Sequence, residues 1–226
     1  MNSPKLLKII VLSACLGLIF SAEAFSSWPE FYLSSDCFAG SAYGTQGSPA
    51  FAKGESNLLV VWEDQRIIAQ RDIFATRITF DGDILDPIGI PVCTTSGRQI
   101  WVNAAWGDGS YLVVWGDSRG PNSEVYGARI DPQGNVLDAE GFPISTGSGW
   151  AACPDVAWDG TNFMVVWSHD RYDTTSYDIY ASRVTPEGEV LDPRGIQISF
   201  DPAMEFTPSI AYADSVYLVT WEHALG

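Results

Sequence analysis

Continuous apolar runs, each ending in tryptophan, recur four times along the chain. They occupy residues 59–62, 112–115, 164–167 and 218–221, and their tryptophans are separated by 53, 52 and 54 residues. Because both alternate sets of positions are apolar, each run predicts a strand that is buried on both faces. After residue 24 no stretch shows a convincing apolar period of 3.6, so the pattern predicts strands rather than helices.

The sequence around each run predicts further strands. In the third unit, strands are predicted at residues 154–158, 163–167, 178–184 and 190–199, with a bend at 193–195 in the last one. The Asp159-Gly160 pair is a strong signal for a hairpin between the first two. A four-stranded meander covered on both faces is a propeller blade or a solenoid rung, and radial packing, which protects strand edges, favours the propeller. The predicted fold class is all-β, with propeller-type, four-stranded blades.

Polar motifs accompany the apolar runs. Tyr-Leu-Val-Val-Trp-x-Asp-x-Arg ends at Arg119, Ile-Tyr-x-x-Arg-Val ends at Val184, and Gly-x-Val-Leu-Asp-Pro-x-Gly-Ile ends at Ile196. Together they resemble the repeats of many secreted bacterial β-propeller-type proteins, over nearly all of the chain from Ser48 onward. The resemblance implies a secreted propeller and no particular activity.

The predicted repeat units span residues 48–93, 101–146 and 153–199, followed by a partial unit at 207–226. Residues 25–47 are an N-terminal segment, in which 31–35 are a candidate outer blade strand. Because propellers usually hold four to eight blades, this count predicts an incomplete propeller. Two explanations stay open: the chain is a fragment of a longer protein, or a partner chain completes the ring.

Residues 1–24 have the features of a secretory signal peptide. Lys5 and Lys8 precede an apolar stretch at 9–20, and small residues flank a cleavage site after Ala24. The alternative is a bacterial lipoprotein processed at Cys15, since residues 12–15 resemble a lipobox. Both interpretations predict export, to the periplasm or the cell exterior, with no transmembrane segment after signal removal.

Charge and cysteine content narrow the classes of partner. The chain has 226 residues, with 12 Lys and Arg against 28 Asp and Glu, so its net charge of −16 argues against nucleic acid and anionic membranes as partners.

Three cysteines, Cys37, Cys93 and Cys153, follow the predicted signal peptide. Either one disulfide or buried free thiols would fit this number of cysteines. Without Cys-x-x-Cys spacing, and with two histidines, no metal site or cofactor is predicted. Asp81-Gly82-Asp83 resembles part of a calcium loop but coincides with a turn found in every unit.

Charged residues that recur in every unit are interpreted as structural, because an activity needs one constellation. The predicted clasps, which hold a loop or the next blade, pair a carboxylate with a guanidinium: Asp64 with Arg66, Asp117 with Arg119, and Asp170 with Arg171. The same interpretation groups Arg77, Arg129 and Arg183 with Asp72, Glu124 and Asp178.

Three aromatic residues lie outside the repeat pattern, in the connections between units. Trp101 stands where other units have Ser48, Cys153 or Thr207, and Trp150 and Phe206 follow in the next two connections. They are candidate ligand-binding residues at the end of the blades that carries the long loops, because exposed rings stack on sugars or anchor proteins. The alternative is that they fill gaps between blades.

These observations favour a non-enzymatic scaffold that binds an extracellular protein or carbohydrate. The alternative function is a sialidase-like or other glycoside hydrolase on a propeller. No catalytic residue is assigned, since no nucleophile elbow, P-loop or dinucleotide-binding motif occurs.

Overall fold

The computed structural model describes residues 45–66, 70–170, 176–200 and 203–224. The predicted signal peptide, the candidate strand at 31–35, Cys15, Cys37 and Arg171 lie outside them. Over the described residues the chain forms fourteen strands: β1 (Gln46–Lys53), β2 (Asn57–Asp64), β3 (Asp72–Thr79), β4 (Ile90–Cys93), β5 (Gln99–Gly107), β6 (Ser110–Asp117), β7 (Glu124–Ile130), β8 (Phe142–Pro143), β9 (Ala151–Trp158), β10 (Phe163–His169), β11 (Asp178–Val184), β12 (Ile196–Gln197), β13 (Met204–Ala213) and β14 (Val216–Ala224).

The strands form three antiparallel four-stranded sheets, β1–β4, β5–β8 and β9–β12, followed by the hairpin β13–β14. The first strands of successive sheets contact one another, β1 with β5, β5 with β9 and β9 with β13, so they form the inner edge of the assembly. The predicted all-β class and the four-stranded meanders are confirmed, and the arrangement is that of propeller blades.

The second strand of each complete sheet lies at the centre of the packing. All eight residues of β6 are buried. Val113 and Trp115 pack in one core cluster with Val61 of the first sheet, whereas Leu112 and Val114 pack in another with the third sheet. Both faces of this strand are therefore covered, as its continuous apolar run predicts.

Strand boundaries differ from the predicted units in two places. The first strands begin two or three residues before the predicted unit boundaries, at Gln46, Gln99, Ala151 and Met204. The predicted strand at 190–199 is reduced to an isolated bridge between Val184 and Val190 and to the short β12. Pro193 has no N–H to donate and Gly195 has a positive φ of 69°, so the chain turns between these two pairings.

Arginines in the third strands connect neighbouring sheets at their outer part. Arg77 forms a bidentate ion pair with Asp86, at 2.8 Å for both Nε–Oδ2 and Nη2–Oδ1, and its Nη1 donates to the Pro132 carbonyl of the next sheet at 2.9 Å. Arg129 repeats this arrangement with Asp138 and the Pro186 carbonyl.

The predicted grouping of these arginines with Asp72, Glu124 and Asp178 is therefore wrong. Asp72 begins β3 and Arg77 lies five residues further along it, about 17 Å away in an extended strand. The turn that follows the strand instead folds Asp86 back beside Arg77, with the Leu85 N–H donating to the Arg77 carbonyl.

Within the described residues, no helix is long and apolar enough to cross a membrane.

Candidate functional site

All long connections meet at one end of the sheets, which we call the loop end. The second strands finish there at Asp64, Asp117 and His169, and the first and third strands begin there. The opposite end carries short turns such as the one at Gly82 and Gly134. Long loops on a rigid scaffold are where binding residues usually lie.

Two of the predicted Asp–Arg pairs lie at the loop end. In each of them the aspartate accepts hydrogen bonds from its own arginine and from a buried tryptophan. Asp117 accepts hydrogen bonds from Trp115 Nε1 (2.9 Å), the Arg119 N–H (2.9 Å), Arg119 Nε (2.9 Å) and Arg119 Nη2 (2.6 Å). Arg119 also lies over the Tyr126 ring at 4.1 Å. With every oxygen engaged, this carboxylate has little capacity left for a ligand.

The first sheet repeats the arrangement with Trp62, Asp64 and Arg66. Burial alone would raise the pKa of Asp64, but the hydrogen bonds from Arg66 and Trp62 outweigh it and lower the pKa. The ionised carboxylate is thus the stable form in this sheet.

The third sheet departs from this arrangement. Strand register places His169 where the other sheets have Asp64 and Asp117, and Asp170 lies one residue beyond. Asp170 accepts a hydrogen bond from the Trp150 backbone N–H, and the indole N–H of Trp167 has no hydrogen-bond partner among the described residues. Asp170 therefore does not take the role of Asp117.

The first strands share a bulge close to the loop end. Its residues have the left-handed backbone conformation, with φ of 48° at Ser48, 57° at Trp101, 52° at Cys153 and 47° at Thr207. Register shifts in all four first strands mark the same point. We call these four residues the inner rim. A strained conformation in non-glycine residues persists only where the surroundings enforce it.

Trp101 is the large aromatic residue of the inner rim. Its N–H donates to Glu63 Oε1 at 2.8 Å, and Arg71 Nη1 donates to Glu63 Oε2 at 2.8 Å. Its ring lies on Gly116, where an added Cβ would be 2.9 Å from Cε3. The indole is half-buried, so it combines packing with a partly open surface.

The other two predicted aromatic residues lie at the same end. Trp150 keeps 41% of its surface exposed. Phe206 is half-buried and contacts Tyr177, with ring centroids 4.9 Å apart. The structure thus brings Phe206 together with a ring that sequence analysis did not single out.

Each of these two rings is next in sequence to a residue with a carboxyl group. Asp178 follows Tyr177, and Glu205 precedes Phe206, while the Glu205 N–H donates to the Tyr177 carbonyl at 2.9 Å. Burial and the nearby charge of Glu205 raise the pKa of Asp178. Glu205 is 2% exposed. The raised pKa favours the protonated form of the Asp178 carboxyl group.

Glu205 also breaks the repeat. Its positions in the other sheets hold Gln46, Gln99 and Ala151. Its Oε1 accepts the Trp221 indole N–H at 2.9 Å, the bond that Asp117 makes to its tryptophan, because the fourth unit has His223 at that position. Its Oε2 is buried, and no described residue forms a hydrogen bond with it. Comparison of the repeat units could have identified Glu205 from the sequence, because an acidic residue there replaces the Gln or Ala of the other units.

The described residues offer no cluster of three His, Cys, Asp or Glu side chains that could hold a metal ion. Asp83 and Asp86 are used in the turn and in the Arg77 ion pair. Within the described ranges Cys93 and Cys153 form no disulfide, and burial, with the charge of Glu222, raises the pKa of Cys153 to about 11.

No family model and no curated protein matches the chain. Solved structures do: an α-L-arabinofuranosidase from Lactobacillus brevis has a TM-score of 0.53 at 12% identity, over 79% of this chain and 65% of that one. An endo-arabinase from Bacteroides thetaiotaomicron has 0.55 at 13%, over 84% and 74%. A neuraminidase-like protein from a little yellow-shouldered bat isolate has 0.55 at 12%, over 79% and 52%.

These likenesses show the fold. The chain spans about two thirds of the arabinofuranosidase, three quarters of the endo-arabinase and half of the neuraminidase-like protein. Since the neighbours are β-propellers, the described part of the chain is an incomplete β-propeller of three four-stranded blades and a two-stranded hairpin.

Proposed function

We propose that the chain is a carbohydrate-active β-propeller whose loop end binds a glycan. The observation that supports it best is the Tyr177–Phe206 ring pair at the loop end, with half-buried Asp178 and buried Glu205 as the neighbouring residues in sequence. Aromatic faces stack on sugar rings, and carboxylates accept hydrogen bonds from sugar hydroxyls. Exposed Trp150 adds a further ring at the same end. The signal peptide predicted at residues 1–24 would place this binding outside the cytoplasm.

A glycan array followed by titration calorimetry tests the binding. We expect Trp150→Ala and Phe206→Ala to weaken binding about tenfold each while leaving the melting temperature unchanged. Phe80→Ala is the matched control, because Phe80 is an exposed ring at the opposite end of the first sheet. A lowered melting temperature for both variants, with no glycan bound by the parent chain, would mean that the rings only pack.

The second candidate function is glycoside hydrolysis, which the structural neighbours favour over a purely non-enzymatic scaffold. Asp178 and Glu205 supply the specific observation, since two nearby carboxyl groups are the usual machinery of glycosidases. Asp178, with its raised pKa, suits the general acid that protonates the leaving oxygen.

Release of reducing sugar from arabinan and of nitrophenol from aryl arabinofuranosides and sialosides tests hydrolysis. We expect Glu205→Gln and Asp178→Asn to lower kcat at least a hundredfold, and Glu187→Gln, at an exposed turn acid, to leave it unchanged. Activity should fall as pH rises through the pKa of Asp178. Glycan binding without turnover would leave the scaffold function in place and remove the hydrolase.

A further inference from the structure

Two arginines meet at the loop end, between the first and second complete blades. An isolated parallel β-bridge pairs Arg71, which precedes β3, with Arg98, which precedes β5. The Gln99 N–H donates to the Arg71 carbonyl at 2.8 Å and fixes this pairing. The bridge therefore brings two guanidinium side chains to adjacent backbone positions.

This pairing of two arginines departs from the repeat. The equivalent bridge between the second and third blades joins Ser123 with Trp150, and neither of these residues is charged. Like charges at directly paired positions repel each other, so two arginines at this bridge do not stabilise the blades by themselves. An anion bound by both guanidiniums would replace this repulsion with attraction.

The Arg98 side chain is exposed, and it forms neither an ion pair nor a hydrogen bond with any described residue. This contrasts with an acidic chain that has 12 Lys and Arg against 28 Asp and Glu. Most other described arginines are paired with a carboxylate: Arg66, Arg71, Arg77, Arg119, Arg129 and Arg183. The Arg98 guanidinium thus keeps its N–H donors for a ligand.

The backbone of Arg98 is held against the second blade. Its N–H donates to Ser118 Oγ at 3.1 Å, and its carbonyl accepts the Ser118 N–H at 3.0 Å. The preceding Gly97 packs so closely that an added Cβ would lie 2.9 Å from the Arg119 Cα. Arg98 therefore projects from a fixed backbone, and less conformational entropy is lost when it binds a ligand.

A buried glutamate orients Arg71. Glu63 Oε2 accepts a hydrogen bond from Arg71 Nη1, and Glu63 Oε1 accepts one from the Trp101 N–H, both at 2.8 Å. The Glu63 side chain is 5% exposed, whereas the Arg71 side chain is 37% exposed. In its contacts with described residues the Arg71 guanidinium uses Nη1 alone, so Nε and Nη2 remain as donors. One carboxylate thus holds both Arg71 and the backbone of half-buried Trp101.

We propose that Arg71 and Arg98 bind the carboxylate of an acidic sugar, a hexuronic or a sialic acid. The planar guanidinium fork matches a carboxylate and binds it through two parallel N–H···O hydrogen bonds. Trp101, anchored beside Arg71, offers a ring for the apolar face of the sugar. This assignment rests on the glycan binding proposed above and adds the class of glycan.

The net charge of the chain sharpens the test. Because a charge of −16 repels anions over the surface as a whole, a preference for acidic glycans has to come from a local site. Oligogalacturonate and its methyl ester are the first pair of probes, since esterification removes the carboxylate charge and leaves the hydroxyl groups unchanged. Titration calorimetry should show about tenfold tighter binding of the free acid, with an affinity that falls as salt is raised. Sialyllactose against lactose is the second pair, and the larger preference identifies the acidic sugar.

Variants of the two arginines locate the binding. Arg98→Gln should weaken oligogalacturonate binding about tenfold and leave the melting temperature unchanged. Arg71→Lys keeps a positive charge beside Glu63 but removes the planar fork, so it should weaken the same binding several-fold. Arg194→Gln is the matched control and should bind as the parent does. Arg194 is exposed in a turn of the third blade and forms no ion pair with a described residue.

Three results would overturn the proposal: equal affinity for the free acid and its ester, equal loss of affinity in Arg98→Gln and Arg194→Gln, or no binding of either acidic probe. Neutral oligosaccharides on the glycan array then separate this proposal from the proposed function. Their binding would leave the glycan-binding function in place, whereas no binding of any glycan would remove both.

Discussion

Removal of the Asp117 carboxylate should destabilise the protein more than any surface substitution, because this side chain satisfies four donors at once. Trp115 is fully buried, so its indole N–H would lose its acceptor and find no water, at a cost of about 1–3 kcal/mol. The guanidinium of Arg119 would lose its counter-charge. Breaking a buried ion pair costs about 3–5 kcal/mol, and the lower end applies because the Arg119 side chain is 22% exposed.

Asp117→Ala is therefore expected to lower the free energy of unfolding by about 3–4 kcal/mol. At about 2–4 °C per kcal/mol for a chain of this size, the melting temperature should fall by about 10 °C. Circular dichroism melts and urea titrations measure both quantities. Asp81→Ala is the control, since Asp81 is an exposed turn residue, and its melting temperature should match that of the parent.

A double-mutant cycle tests whether the lost hydrogen bond to Trp115 causes part of the destabilisation by Asp117→Ala. Trp115→Phe deletes the indole N–H, so Asp117→Ala in that background should cost about 1 kcal/mol less than in the parent. The reasoning fails if Asp117→Ala destabilises by less than 1 kcal/mol, or if the cycle shows no coupling between the two positions.

Three further predictions concern other parts of the chain. Both oxygens of Asp72 are buried with no hydrogen-bond partner in the part of the chain that the structure describes, and burial and the charge of Asp64 raise the pKa of this carboxyl group. The contribution of protonated Asp72 to protein stability is complete below the ordinary pKa of an aspartate and is lost as pH rises through the raised pKa. Asp72→Asn should therefore raise the free energy of unfolding by about 1–3 kcal/mol at pH 7 and leave it unchanged at pH 3. Urea titrations at the two pH values measure both effects. Tyr111→Phe deletes the single proton that the buried Tyr111 hydroxyl shares between the Asn57 carbonyl and Oδ1, both 2.7 Å away, and should lower stability by about 1–2 kcal/mol; an unchanged melt would contradict this. For export, the intact mass of secreted protein should begin at Phe25, whereas a lipid-modified Cys15 would show the lipoprotein alternative.

The fold could be predicted from sequence because the strongest signals were local. Four apolar runs of nearly equal spacing, three of which are covered on both faces in the structure, leave little choice besides stacked sheets. The unit boundaries are harder to predict, because the predicted unit starts, Ser48, Trp101, Cys153 and Thr207, are bulge residues. A bulge interrupts the alternation of side chains and hides the part of the strand that precedes it.

The candidate site was harder to predict than the fold. Strand register and turns bring its side chains together, and their spacing in the sequence does not show this. Asp86 reaches Arg77 only because a turn folds the chain back, and Glu205 takes the place of an aspartate only because His223 occupies that position in the fourth unit. Tyr177 and Phe206 lie 29 positions apart in sequence and meet across two units. Pairing of this kind is a tertiary property, and a single sequence carries it only as an irregularity in the repeat.

The inner rim has a consequence for how such a protein can change. Serine, tryptophan, cysteine and threonine all occupy it with φ between 47° and 57°, so the backbone there is held by the sheets and not by the side chain. The left-handed conformation lowers the stability of the folded state by about 1–2 kcal/mol at each position, whichever of these residues is present. The side chain at an inner-rim position can therefore change by a single substitution. We expect the strand register and the core of each blade to stay the same when it does.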